Sequence, residues 1–414
     1  MNYSNFSLLV IFIILLFSSS CTKDDSSDLR VEARFTSPII EYGKVSFKNY
    51  SLNATDYFWE FEDGNTSIEK DPIHEYLELG VFDVKLTASR GDESDVFFLK
   101  VAIGQIYPDN LTQLDDLPFG ARTQMIYFKK DGKGYIAGGV DYSDFQYDQD
   151  FWEFDPSDKS WTLISEDVPV NLNNATSFVI NDKAYFGLGN SNFGIGDLTF
   201  YSYDFQNSTF QFECNLPGNQ TFPGQFIDAV GFVYDDLGYL IGRGQNDNLQ
   251  KRMWHFHPVA QNWTEFGTYP TAGNAGMFHF IINGKLFIGM GNEYSSSHYG
   301  CQSDIWEYDL NNNNWTQKND FPGIGRRDGI SFTHNGKGYF GFGNQADPNT
   351  AINKSFSDLW EYDVAADSWI EILNMPVPNK QELFAFVFGN SLYFGGGNNG
   401  QGSSTNEFYE LKLN

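Results

Sequence analysis

At 414 residues, with 40 Gly, 40 Phe, 23 Tyr and 9 Trp, the chain is long enough for more than one domain and is supplied for short strands, tight turns and aromatic-packed sheets rather than long helices. Its 26 Lys and Arg against 54 Asp and Glu give a net charge of −28, which excludes a nucleic-acid partner, because phosphate backbones are held by clustered cations. Three cysteines, Cys21, Cys214 and Cys301, do not make a disulfide framework for a chain of this size.

The chain opens on an apolar run from Leu8 to Phe17, followed by Ser18, Ser19, Ser20 and Cys21. That run is too short to span a bilayer; a short apolar core, small residues and a cysteine read as an export signal over residues 1–20. It resembles the bacterial lipoprotein signal, which implies cleavage before Cys21, lipidation of that residue and attachment to a membrane through it. Residues 21–30 are polar and form a flexible tether. Lys23-Asp24-Asp25 is similar to the surface-export tag of some Gram-negative lipoproteins, which implies an outer-membrane protein exposed at the cell surface.

Residues 31–104 alternate apolar and polar side chains in short runs. In Tyr57-Phe58-Trp59-Glu60-Phe61-Glu62-Asp63-Gly64, period-2 spacing puts Tyr57, Trp59 and Phe61 on one face of a strand that the Asp-Gly turn ends. Pro72-Ile73-His74-Glu75-Tyr76 and Gly80-Val81-Phe82-Asp83-Val84 follow. Together these residues resemble the PKD domain, an immunoglobulin-like β-sandwich, which implies a spacer or protein-contact module in which His74 is packed and hydrogen-bonded.

From residue 105 to 414 an apolar strand ending in a glycine pair occurs six times, closing at Gly139, Gly189, Gly244, Gly291, Gly343 and Gly397, with intervals between 47 and 55 residues. Each is followed by an aromatic strand, such as Phe151-Trp152-Glu153-Phe154 or Leu359-Trp360-Glu361-Tyr362, and in five repeats by an outer aromatic: Trp161, Phe210, Trp263, Trp315 and Trp369. The pattern resembles the kelch repeat, which implies an all-β chain: a PKD sandwich followed by a six-bladed β-propeller. The last repeat lacks its outer strand, so the segment around Asn110-Leu111-Thr112-Gln113-Leu114 is expected to supply it and close the ring.

The long loops after the glycine strands and the segments preceding each inner strand meet at one end of such a propeller, where binding is expected. Counting four residues past the proline before each inner strand selects Arg122, Asn173, Asn274, Arg326 and Lys380, with Arg327 beside them; the loops add Tyr142, Glu293 and Tyr294. Arg243 stands where other repeats carry Gly, Leu, Met or Phe, and a buried arginine requires a partner. His255 and His257 lack an evident third metal ligand, and no metal or cofactor is expected. Without a nucleophile placed with a base and an orienting group, the expected function is non-catalytic recognition of a glycan or a protein. The alternative, implied by the resemblance to six-bladed kelch proteins that include sialic acid mutarotases, is a sugar-processing enzyme of mutarotase or epimerase type.

Overall fold

The computed structural model describes residues 30–36, 39–41, 44–77, 80–103, 110–143, 146–170, 172–189, 198–217, 228–242, 252–270, 274–294, 299–346, 353–375, 380–398 and 403–413. Each repeat folds as four antiparallel strands: among the described residues five repeats form separate four-stranded sheets, and the four strands of the fifth repeat belong to a larger sheet. In the first, Ile126–Lys130, Lys133–Ala137, Phe151–Asp155 and Ser160–Ser165 pair in that order from the axis outward. The first hairpin turns at Asp131 and Gly132, both left-handed (φ 50° and 79°), the backbone twist a two-residue loop between right-twisted strands needs. Between the third and fourth strands the register slips at Phe151/Trp152, Phe200/Tyr201, Met253/Trp254 and Leu359/Trp360, a bulge at one place in four sheets.

Aromatic rings fill the space between neighbouring sheets. Phe154 lies 4.9 Å from Trp161 of its own sheet and 5.2 Å from Phe408 of the sixth, edge to face in the second case. The glycine pairs join sheets through the backbone. Gly139 N–H donates to Leu172 O at 3.0 Å, and Gly291, Gly343 and Gly397 donate to Arg326, Lys380 and Arg122 carbonyls, each at 2.9 Å. These four glycines have φ between 79° and 100°, and at Gly343 an added Cβ would meet Arg327 O at 2.5 Å, so conformation and space both demand glycine.

The Gly397 bond runs from the sixth sheet to the first and so completes a ring. The sixth sheet takes Phe384–Phe388, Ser391–Gly395 and Phe408–Lys412 from the end of the chain and Leu111–Gln113 as its outer strand, with Leu111 opposite Leu411 and Gln113 opposite Tyr409. Beside that seam Glu410 is buried. Burial works to raise its pKa, yet hydrogen bonds from Lys159 Nζ (2.6 Å), Lys412 Nζ, Ser391 and Tyr393 Oη (3.0 Å) outweigh it and hold the carboxyl at about 2. A carboxyl depressed in the folded state stabilises the fold above its ordinary pKa of 4.5 and loses that contribution as pH falls toward 2. Glu410→Gln is therefore expected to lower the unfolding midpoint at pH 6, with the gap to the parent protein closing between about pH 4.5 and 2. A constant gap across that range in parallel denaturation curves would contradict the assignment.

The N-terminal domain buries Phe35, Val45, Phe47, Trp59, Phe61, Val84, Leu86, Leu99 and Val101 among three sheets, of two strands, three strands and four strands of a larger sheet. His74 stacks on Phe61 with centroids 4.1 Å apart, and its Nε2 lies 2.7 Å from Asp63 Oδ2. The strand Glu93–Ile103 continues the fifth propeller sheet, pairing in parallel with Ser368–Asn374 through Ile370 opposite Lys100 and Glu371 opposite Val101. One eight-stranded sheet results, and a single apolar cluster runs from Trp59 to Trp369. The spacer implied by the sequence is thus docked along a sheet edge, which removes that edge from solvent.

Candidate functional site

Two residues before each inner strand stand Gln124, Asn174, Asp228, Gly276, Asp328 and Glu382, and all six are left-handed, with φ between 51° and 66°. In five of the six, the N–H donates to the carbonyl of its counterpart in the preceding sheet. Asn174 N donates to Gln124 O (3.4 Å), Asp228 N to Asn174 O (3.1 Å), Gly276 N to Asp228 O (3.4 Å), Asp328 N to Gly276 O (3.0 Å) and Glu382 N to Asp328 O (2.8 Å). Thr123 Oγ1, 3.5 Å from Glu382 O, completes the circle. Left-handed Gln, Asp and Glu store strain that the ring of bonds offsets. What the arrangement achieves is a collar of side chains round the axis.

Below the collar a central cavity of about 520 Å³ is lined by the inner strands, including Tyr127, Ser177, Gly231, His279, Ser331 and Ala385, which hold equivalent positions in the six sheets. Burial pushes Tyr127 up to about 12 and His279 down to about 4, so both are neutral at physiological pH. Ser331 Oγ donates to His279 O at 2.7 Å, tying two sheets together.

The collar is acidic. Glu382 accepts from Gln124 Nε2 (3.0 Å), Thr123 Oγ1 (2.7 Å) and Asn398 Nδ2 (2.8 Å), while Gln124 Nε2 also reaches Tyr142 Oη at 2.6 Å. Burial and the neighbouring Asp328 push Glu382 above the ordinary carboxylate range, against the pull of Gln124, Thr123 and Arg327. The Asp328 side chain is only 6% exposed; burial pushes it up as well, opposed by Arg327, whose Nη1 is 3.3 Å from Oδ2. Its Oδ1 lies 2.1 Å from where a Cβ on Gly276 would sit, so the missing side chain in the fourth sheet makes room for the carboxylate of the fifth.

Asn292, Asn344 and Asn398 follow the glycine pair in three consecutive sheets, and each is almost wholly buried. The Asn398 amide reaches the collar residue Glu382, while Asn344 bonds through its backbone to Arg327, next to Asp328, and Asn292 pairs with Ala275, next to Gly276. Among the described residues, neither polar atom of the Asn292 or Asn344 amide has a hydrogen-bond partner.

The residues singled out from sequence divide sharply. Arg122 is buried and holds Asp150 through Nη1–Oδ1 (2.5 Å) and Nη2–Oδ2 (3.1 Å); Arg326 holds Asp358 the same way at 2.5 and 2.9 Å; Lys380 pairs with Glu407 and donates to Thr405 Oγ1. These three cations serve the junctions between sheets, and the expectation that they face a ligand is corrected accordingly. Asn173 does not belong to their series: Leu172 holds that position, its carbonyl bonding Gly139, because the second repeat is offset by one residue from the proline count. Arg327 and Tyr142 do reach the collar. Asn274, Glu293 and Tyr294 lie in paired strands beside it, Asn274 opposite Glu293, but their side chains are outside the described residues, as are Arg243 and Cys21 altogether. His255 stacks on Phe266 at 3.8 Å, and among the described residues no three His, Cys, Asp or Glu side chains group to hold a metal.

Sequence reasoning missed the collar itself. The available signal was that Asn, Asp or Gly, the residues most tolerant of a left-handed backbone, occupy four of its six positions.

Residues 42–96 match the PKD domain family. The N-acetylneuraminate epimerase of Pasteurella multocida (strain Pm70) is 23% identical over 184 residues, 44% of this chain and 43% of that protein. The enzyme of the same name from Haemophilus influenzae (strain 86-028NP) is 22% identical over 51% of each chain, and the Kelch-like protein terF of Aspergillus terreus is 24% identical over 46% of this chain and 43% of its own. The chain spans about half the length of these curated relatives. The solved structure of YjhT is similar over 71% of this chain and 95% of that one, with 16% identity and a TM-score of 0.58. A PKD domain followed by a kelch-type propeller is the architecture these likenesses and the sheet topology support together.

Proposed function

We propose that the chain is a carbohydrate-recognition protein, tethered to the outer membrane through Cys21, which takes a sugar at the collar on the long-loop end of the propeller. The observation that carries this is the ring of acidic and amide side chains, Gln124, Asn174, Asp228, Asp328 and Glu382, set round the mouth of a central cavity of about 520 Å³. Sugar hydroxyls donate and accept at once and suit such a surface. A protein partner would favour exposed aromatic anchors, and among the described residues the large exposed apolar side chains lie elsewhere, among them Phe58 and Phe98 on the sandwich and Phe212 on an outer strand.

A catalytic reading is favoured by one observation: Asp328 and Glu382 both hold their protons more tightly than ordinary carboxyls, the direction in which a general acid or base for a sugar is tuned. The names of the bacterial relatives point the same way. Titration calorimetry with sugars selected on a glycan array, run beside an NMR measurement of N-acetylneuraminate anomerisation, separates the two. Recognition predicts saturable binding and an anomerisation rate equal to that in buffer; a rate raised by the protein and abolished in Glu382→Gln would replace it with the enzymatic reading.

Asp328 allows a further check. A carboxyl whose pKa is raised by folding costs stability as pH climbs past its ordinary value of 3.8, because the folded state resists losing the proton. Asp328→Asn, whose new residue tolerates the left-handed backbone, is expected to raise the unfolding midpoint at pH 7 while weakening sugar binding by about tenfold or more. The two proteins should converge in stability below about pH 4. A variant both less stable at pH 7 and equally tight for sugar would contradict the placement of the site.

A further inference from the structure

Resting on the sugar-binding reading, we infer that the collar accepts a sugar that is uncharged or amine-bearing at its inserted end and turns away sugars carrying a carboxylate there. The charge arrangement is the ground for it. Asp228, Asp328 and Glu382 line the cavity mouth, and among the described residues the cation seen to reach them is Arg327, already 3.3 Å from Asp328. Arg122, Arg326 and Lys380 are held by Asp150, Asp358 and Glu407. The tier beneath, Tyr127, Ser177, Gly231, His279, Ser331 and Ala385, contributes no positive charge, and Lys129 at the next tier donates to Val387 O at 2.9 Å.

Among the described residues, a carboxylate entering this mouth therefore meets three acidic side chains and no open guanidinium fork, the group that recognises planar anions best. Hydroxyl and ammonium groups meet the reverse: carboxylate acceptors at close range in a site partly shielded from water, where such hydrogen bonds are strengthened. The Gln124 and Asn174 amides, which also line the cavity, add donors and acceptors that serve a neutral hydroxyl or acetamido group. Charge selection at this mouth needs no further residue than those of the collar.

The test uses the intact mature chain and matched ligands that differ in charge alone: glucose, glucosamine and glucuronate, with the corresponding galactose and mannose series, titrated at 0.15 M salt by calorimetry or ligand-observed NMR. In whichever series binds, the uronate is expected to be at least tenfold weaker than the neutral hexose, with the amine at least equal to it. Asp228→Asn should narrow the gap below about threefold, since Asn keeps the backbone conformation and removes one charge. A uronate that binds within twofold of the neutral sugar, or tighter, overturns the charge selection and leaves sugar binding intact. Failure of every hexose in every form overturns the sugar-binding reading itself, and this inference with it.

Discussion

Arg326→Ala is expected to destabilise the protein by about 3–5 kcal/mol, the cost of leaving a buried carboxylate without its cation. The Arg326 side chain is wholly buried, its guanidinium grips Asp358 bidentately and covers the Phe356 ring at 3.7 Å, and its Nε donates to Ile324 O at 3.0 Å. Once the arginine is removed, Asp358 keeps among the described residues a neutral side-chain donor, Trp360 Nε1 at 2.8 Å. The loss should appear as a shift of the denaturant midpoint followed by tryptophan fluorescence. The double variant Arg326→Met with Asp358→Leu should recover most of it, because two apolar side chains of similar volume need no solvation. If the single variant stays within about 1 kcal/mol of the parent, the ion pair is not the fastener between sheets that its geometry describes.

The second large effect concerns a fit between neighbouring sheets. In alternate sheets the second strand carries glycine where a phenylalanine of the preceding sheet leans on it: a Cβ on Gly338 would meet the Phe280 ring at 2.2 Å, on Gly238 the Phe178 ring at 2.3 Å, and on Gly134 the Phe386 ring at 2.7 Å. The equivalent residues of the other three sheets are Ala184, Leu286 and Leu392. Gly338→Leu places a side chain in a space already filled, so a loss of about 3 kcal/mol or more is expected. Adding Phe280→Ala vacates the space, and the pair should be more stable than Gly338→Leu alone. A measured coupling near zero in this double-mutant cycle would mean that the rings do not set the spacing of the sheets.

Much of the architecture was readable in advance because its signals are local. A strand of alternating side chains, a glycine whose backbone must turn left-handed, and an aromatic at a fixed offset recur about every fifty residues, and each reports on its own neighbourhood. The candidate site was read less well for the same reason. Arg122, Arg326 and Lys380 look from sequence like cations waiting for a ligand, since nothing local reveals that Asp150, Asp358 and Glu407 fold back on them from later strands. The miscount at Asn173 arose from using proline as the ruler, although a loop residue before a strand is free to shift by one.

The composition and the periodic pattern of this chain were enough to settle its all-β class and its division into a sandwich and a repeating propeller, because periodicity and turn chemistry act within a few residues. Three things awaited the assembled molecule. Six left-handed residues became a hydrogen-bonded collar only when the six sheets stood side by side. Asp328 and Glu382 hold their protons more tightly only once burial takes them away from water, Glu382 also because Asp328 stands beside it. The sandwich joined the fifth sheet by backbone pairing at Ile370 and Glu371, a contact that any side chains can make and that therefore leaves no mark in the order of residues.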